Sequence, residues 1–200
     1  MTLIETSPSR RTVLKAAAGL AVGFHLPSAA LAQPAAAPAT PEINAWVVIR
    51  PDDTVVLRMA RSEMGQGTRT GLCQMIAEEL HCDWSKIVTE YVTPGQSLAR
   101  NRAWGAFLTA GSQGIRQSQD YVRKGGAAAR ILLIQAAAEA WGVPATECRA
   151  KDSVITHAAS GRSVRYGQVA AAAARLSPPA NVPLKDPKYW TVIGTSVKRL

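Results

Sequence analysis

Two neighbouring glycines inside a long helical pattern constrain this chain more than any other feature. Residues 113–141 carry small and apolar side chains at helical spacing, through Val122, Gly126, Ala129, Leu133, Ala136 and Ala140, and Gly142-Val143-Pro144 ends the run. Gly125 and Gly126 lie in its interior. Each costs a helix about 1 kcal/mol relative to alanine. A helix that keeps both must gain something a methyl group would prevent: either close packing of another element or a ligand approaching the backbone.

The remaining segments arrange themselves around that helix. Residues 44–50 (NAWVVIR) and 54–59 (TVVLRM) read as strands joined by the turn Pro51-Asp52-Asp53, hence a hairpin. Residues 68–80 form an amphipathic helix, with Leu72, Met75, Ile76 and Leu80 on one face. Residues 86–92 (KIVTEYV) are a strand, and 93–111 read as a long irregular stretch of the kind that is often functional. Short strands near 148–150 and 153–156 could pair as a hairpin, and a last helix spans 166–176 before a proline-rich segment, 177–187. The order is ββαβα then ββα, an α+β layer arrangement of mixed strands packed with about three helices.

Composition bounds the function class. Apolar residues make up 47% of the 200, enough for a core. The net charge of +9 favours anionic partners such as acidic lipid, nucleic acid or a phosphate-bearing cofactor. The basic residues are spread singly rather than in a block, and no nucleic-acid motif occurs, which points away from nucleic acid. Cys73, Cys82 and Cys148 have no zinc-type spacing, and Cys73 falls on an apolar helix face as a small core residue. His25, His81 and His157 form no cluster.

The first forty residues read as an address. Ser9-Arg10-Arg11-Thr12-Val13-Leu14-Lys15 has the twin-arginine pattern, a weakly hydrophobic stretch follows to Leu31, and Ala30-Leu31-Ala32 offers a small-x-small cleavage pattern. His25 and Pro27 break the apolar stretch, which disfavours a membrane span, although an uncleaved tether stays open. The expected organisation is a signal at 1–32, a Pro/Ala linker at 33–43 and a folded body at 44–200. Removing the signal takes away three basic residues and one acidic residue, lowering the charge by two to about +7. The expected location is the periplasm, with association to the inner membrane as a further option. The twin-arginine route carries folded proteins, which suits a chain loaded with a complex cofactor beforehand.

The sharpest chemical signal is Glu63-Met64-Gly65-Gln66-Gly67, between a strand and a helix. Two glycines let the backbone approach a ligand, and Gln66 presents one uncharged amide that both donates and accepts. The following helix N-terminus suits an anion. Alone, the GQG pattern is weak, and a plain turn is its default reading. Its context adds Thr70-Gly71 and Met75-Ile76-Ala77-Glu78-Glu79-Leu80, then Thr109-Ala110-Gly111-Ser112, Arg123-Lys124-Gly125-Gly126-Ala127-Ala128-Ala129-Arg130 and Trp141-Gly142-Val143-Pro144. Ser160-Gly161-Arg162-Ser163, Tyr166-Gly167 and Pro183-Leu184-Lys185-Asp186-Pro187-Lys188 follow in order. This collinear set resembles the molybdopterin-binding subunits of the xanthine dehydrogenase/aldehyde oxidase family, nearest the isoquinoline 1-oxidoreductase β-subunit type that includes exported aldehyde dehydrogenase large subunits.

The resemblance implies a partial molybdopterin-binding domain, the N-terminal part of a larger subunit. It places Gln66 beside molybdenum, with Gly65 and Gly67 shaping the loop, and gives Thr109, Gly111 and Ser112 the dinucleotide end of molybdopterin cytosine dinucleotide. Ala110 stands where the family often has the first of two glycines, so one backbone contact differs. Implied partners are the rest of the large subunit, a [2Fe-2S] subunit and, as a further candidate, a cytochrome c subunit. The implied reaction oxidises an aldehyde or N-heteroaromatic carbon with oxygen from water, and the family's catalytic glutamate matches no residue here. The expectation is a piece of a molybdenum-dependent oxidoreductase, inactive as this chain alone; the alternative is a non-catalytic fragment serving for binding or assembly. Substrate is not readable. Glu63 reads as a loop-holding residue rather than an acid or base. Arg116, Arg123 and Arg130, seven apart, share a helix face that is either solvated or a phosphate clamp. Met64 and Met75 read as packing, and the five tryptophans form no platform.

Overall fold

The computed structural model describes residues 41–200, so the expected signal and nearly all of the linker lie outside the described residues. Strands β1 (Val47–Ile49) and β2 (Val55–Met59) pair antiparallel across the expected turn, with Val47 opposite Leu57. Their apolar side chains are buried, and Val47, Ile49, Val55 and Leu57 are fully shielded from water. Strand β3 (Ile87–Tyr91) joins the other side of β2 in parallel, Val55 opposite Ile87. A parallel pair needs a crossover, which helix α1 (Thr68–Leu80) supplies. Its Leu72, Cys73, Ile76, Ala77 and Leu80 are buried, as the spacing requires, while Met75 is only partly covered.

The glycine pair of the long helix resolves in favour of close packing. Helix α4 (Gln119–Trp141) crosses α1 so tightly that a Cβ on Gly126 would stand 2.5 Å from the Ile76 carbonyl oxygen. A Cβ on Gly125 would stand 2.9 Å from the Trp46 ring, and the Gly125 carbonyl accepts a hydrogen bond from Asn44 at 2.8 Å. The glycines therefore serve the core.

The expected helix over 113–141 is in fact two, the four-residue α3 (Gln113–Arg116) and α4, broken at Gln117-Ser118. The Ser118 N–H bonds the Ile115 carbonyl in a tighter turn, and its buried hydroxyl is committed to Arg61 and Tyr121. Serine hydroxyls that bond elsewhere compete with helical continuation. The stretch expected to be irregular contains a short helix, α2 (Pro94–Leu98), started by a capping box between Thr93 and Gln96.

A second sheet is a three-stranded meander of β4 (Cys148–Lys151), β5 (Val154–His157) and β6 (Arg162–Arg165). The first two form the expected hairpin. β6 escapes the pattern because three of its four residues are exposed and it is defined by pairing on β5 rather than by alternation. Helix α5 (Tyr166–Ala173) ends earlier than expected and buries Tyr166, whose hydroxyl donates to the Leu80 carbonyl at 2.7 Å. The extended segment beyond α5 is held to α1 by two fully buried carboxylates. Glu78 accepts the Thr191, Val192 and Ile193 N–H groups, while Glu79 accepts the Lys185 N–H at 3.0 Å and pairs with Arg123 of α4 at 2.7 Å.

Candidate functional site

The site lies where β2 runs out into the glycine loop. That loop is shaped by one carboxylate: Glu63 Oε1 accepts the Gly65 N–H at 2.8 Å and the Gly67 N–H at 2.9 Å, while Oε2 accepts the Arg69 N–H at 3.0 Å. Gly65 (φ +99°) and Gly67 (φ +83°) occupy backbone conformations that side chains disfavour, which is how the chain turns twice within three residues. From outside, Arg199 donates to the Gly65 carbonyl at 2.5 Å and reaches Glu63 at 3.3 Å. The Gly67 N–H, followed by the Arg69 and Gly65 N–H groups and the Arg199 charge, holds the Glu63 carboxyl down to about 2. Glu63 is thus a structural anion at neutral pH, as the sequence suggests.

Gln66 folds its amide back on the loop. Its Oε1 accepts the Met64 N–H at 2.6 Å and its Nε2 donates to the Ser62 carbonyl at 2.8 Å. An amide oxygen has two lone pairs and its nitrogen two hydrogens. Half of this capacity fixes the side chain, and half is left for a ligand.

The second wall is residues 109–114. Ser62 donates its N–H to Thr109 Oγ1 at 2.9 Å, which ties this segment to the glycine loop. Gly111 (φ +58°) and Ser112 (φ +54°) are successive left-handed residues, and Ser112 does so against the cost of a side chain, a local strain that clusters at functional positions. The Ser112 side chain makes no capping bond to the helix that follows. Between the walls is a cleft of about 220 Å³, lined by Gln66, Thr109, Gly111 and Ser112 together with Met64, Thr68, Ala110, Gln113 and Gly114. Four of the six residues singled out from sequence therefore share one cleft, and Gly65 and Gly67 shape its lip without lining it. Met64, expected to pack, is 70% exposed at its mouth.

The cleft carries no acidic or basic side chain, only hydroxyls, amides and small residues besides Met64. Among the described residues no group of three His, Cys, Asp or Glu is placed to hold a metal ion directly. The cysteines are buried, and burial pushes the Cys73 thiol up to about 12, so they are core residues without nucleophilic character. A larger cavity of about 600 Å³ lies elsewhere, against His81, Cys82 and Lys185, and contains none of the sequence-derived candidates. The donor chemistry and backbone conformation favour the smaller cleft.

The arginine face is corrected. Arg116 is exposed on α3, Arg123 is spent on Glu79 and the Lys185 carbonyl, and Arg130 bonds His81 Nε2 at 3.1 Å. The helix break separates the first from the others, and the two remaining guanidiniums are internal ties, neither a solvated face nor a phosphate clamp. Sequence reading also passes over Arg61, which is 2% exposed behind the cleft. Its only signal is a charged residue two positions beyond the end of β2, just before the glycine loop.

Comparison with known proteins identifies the family. A sequence model described as the molybdopterin cofactor-binding domain matches residues 5–199. The beta chain of isoquinoline 1-oxidoreductase from Brevundimonas diminuta is 34% identical over 82% of this chain and 22% of its own length. A membrane-bound aldehyde dehydrogenase [pyrroloquinoline-quinone] of Gluconacetobacter polyoxogenes is 29% identical over 96% of this chain and 25% of its own. A nicotinate dehydrogenase component of Pseudomonas putida is 27% identical over 80% and 13%. The chain thus spans a quarter or less of the length of these relatives.

Proposed function

The chain belongs to the molybdopterin cofactor-binding domain family, and from that membership we propose that its Gln66 cleft receives part of a molybdenum–pterin cofactor in an oxidoreductase. The observation that carries the reading is the convergence of Gln66, Thr109, Gly111 and Ser112 on one acid-free cleft. An oxygen-rich anionic group wants hydroxyls, backbone N–H groups and small residues, with no competing carboxylate, and the lining fits it. At about 220 Å³ the cleft is smaller than the ~300–1,000 Å³ of sites that enclose a whole small ligand. It holds one portion of the group, and other parts of the assembly close over the rest.

When bound, that group supplies a centre for two-electron oxidation of an aldehyde or N-heteroaromatic carbon with oxygen from water. The residues of this chain bind and orient. Gln66, fixed by Ser62 and Met64, offers one neutral donor and one acceptor without adding charge. Thr109, already accepting from Ser62, keeps its own hydroxyl proton to donate. Glu63 stays ionised and moves no proton, because releasing it opens the loop. No described residue of the cleft is suited to act as a base, so proton transfer belongs to another part of the assembly.

The finer reading follows the same line. The cofactor is molybdopterin cytosine dinucleotide, with Gly111 and Ser112 at its dinucleotide end. Electrons leave through a [2Fe-2S] subunit and then a cytochrome c subunit. The protein is exported by the twin-arginine route to the periplasm, supported by Arg10-Arg11 and the small-x-small pattern at residues 30–32. Among the described residues no helix is long and apolar enough to cross a membrane.

The test is metal analysis of the protein purified from its native host, with mass spectrometry of co-purifying chains. Near-stoichiometric molybdenum with co-purifying electron-transfer subunits is expected. Pyrroloquinoline quinone without molybdenum would overturn the proposal, and no cofactor and no partner would favour the non-catalytic fragment.

A further inference from the structure

Arg61 is buried without a counter-ion. Its Nε donates to Ser118 Oγ at 3.0 Å, its Nη1 to the Leu108 carbonyl and its Nη2 to Tyr121 Oη at 3.5 Å, and all three acceptors are neutral. No carboxylate of the described residues is within ion-pair reach of it. Buried charges are ordinarily paired, because an uncompensated one is unfavourable.

Its partners are informative. Leu108 and Ser118 stand immediately before and after residues 109–117, the segment that supplies most of the cleft wall, so one guanidinium spans both ends of that segment. The next residue, Ser62, ties Thr109 in the same direction. A rigid planar fork suits such a multi-point contact, and its charge persists at every relevant pH. The lining itself carries no acidic side chain, and the ionised Glu63 of the adjoining loop is paired with Arg199; the remaining positive potential acts further in a low-dielectric surrounding than in water.

We propose that Arg61 is a positioning residue that clasps the 109–117 segment and makes the cleft selective for a phosphate or diphosphate group. The proposal rests on the reading of this cleft as a cofactor site and names the part of the ligand it holds.

The test is calorimetric titration of the full 200-residue chain with inorganic pyrophosphate at two ionic strengths, for wild type, Arg61→Lys and Arg61→Gln. Wild type is expected to bind, more weakly at high salt. Arg61→Gln should lose at least tenfold in affinity and most of the salt dependence. Arg61→Lys keeps the charge but not the fork, so it should recover part of the affinity and retain the salt dependence. Equal loss in both variants, or no loss in Arg61→Gln, overturns the charge role. Where Arg61→Gln does not fold, Arg61→Lys decides: retained salt dependence supports the proposal and its disappearance overturns it. Absence of pyrophosphate binding to wild type also overturns it, while molybdenum in the native assembly tests the cofactor reading separately.

Discussion

The Glu63 carboxylate closes the glycine loop on the Gly67 N–H, 2.9 Å away, and the same oxygen takes the Gly65 N–H. The group is held down to about 2 from an ordinary 4.5. A depressed acid stabilises the folded form above its unfolded pKa and loses that contribution as pH falls through the folded value. The loop should therefore be indifferent to pH from 7 to about 5, and should loosen as pH falls from 4.5 towards 2. An NMR titration of the Gly65 and Gly67 amides should give a midpoint near 2. A midpoint at the ordinary carboxylate value would show that the closure is not maintained in solution.

Gln66→Ala removes an exposed amide that makes two local hydrogen bonds. Loss of these should cost about 1 kcal/mol or less, a shift of a few degrees in Tm. In the complete assembly kcat should fall about 100–1,000-fold, by analogy with removal of a single oriented donor from an active site. Turnover unchanged at full molybdenum content would remove Gln66 from the site.

The parts of the cleft were legible in the sequence because each is local, glycines, hydroxyls and one amide in two short motifs, which the Ser62–Thr109 hydrogen bond ties together across 47 positions. The hairpin, α1 and the β4–β5 pair were legible for the same reason, since period and turn chemistry act over a few residues. What escaped depends on distant partners. The break at Ser118 needs Arg61, 57 positions away. β6 needs β5, and Arg123 looks solvated until Glu79 is seen beneath it. The resemblance to a known family supplied what local pattern could not, the common purpose of the two cleft walls.

Gly126→Ala opposes helix propensity to packing. The methyl group should favour the helix by about 1 kcal/mol, yet it would stand 2.5 Å from the Ile76 carbonyl, a backbone atom that cannot rotate away. Overpacking of this kind costs about 1–3 kcal/mol, and contact with backbone argues for the upper end. The net effect should be destabilisation by about 2 kcal/mol, seen as a Tm lower by about 4–8 °C. An unchanged or raised Tm would show that α1 and α4 do not approach as closely as described.

Glu78→Ala tests the tie between α1 and the segment that follows α5. Burial alone would raise the Glu78 carboxyl, but Lys185 and the Val192, Ile193 and Thr191 N–H groups outweigh it and hold it below its ordinary value. Truncation leaves three amides and one ammonium without their acceptor. Removing one partner of a buried pair costs about 3–5 kcal/mol. The Lys185 side chain keeps 16% of its surface exposed, so water can reach that end and the lower figure applies, about 3 kcal/mol. The loss should be local before it is global: hydrogen exchange at Thr191, Val192 and Ile193 should accelerate while the amides of β1 and β2 stay protected. Glu78→Gln, which preserves shape and one acceptor oxygen, should recover part of that protection. Since the wild-type carboxylate is depressed, the same amides should lose protection in acid only below pH 4.5. Uniform acceleration across the molecule in Glu78→Ala would mean that the C-terminal segment is part of the core rather than a strap laid over it.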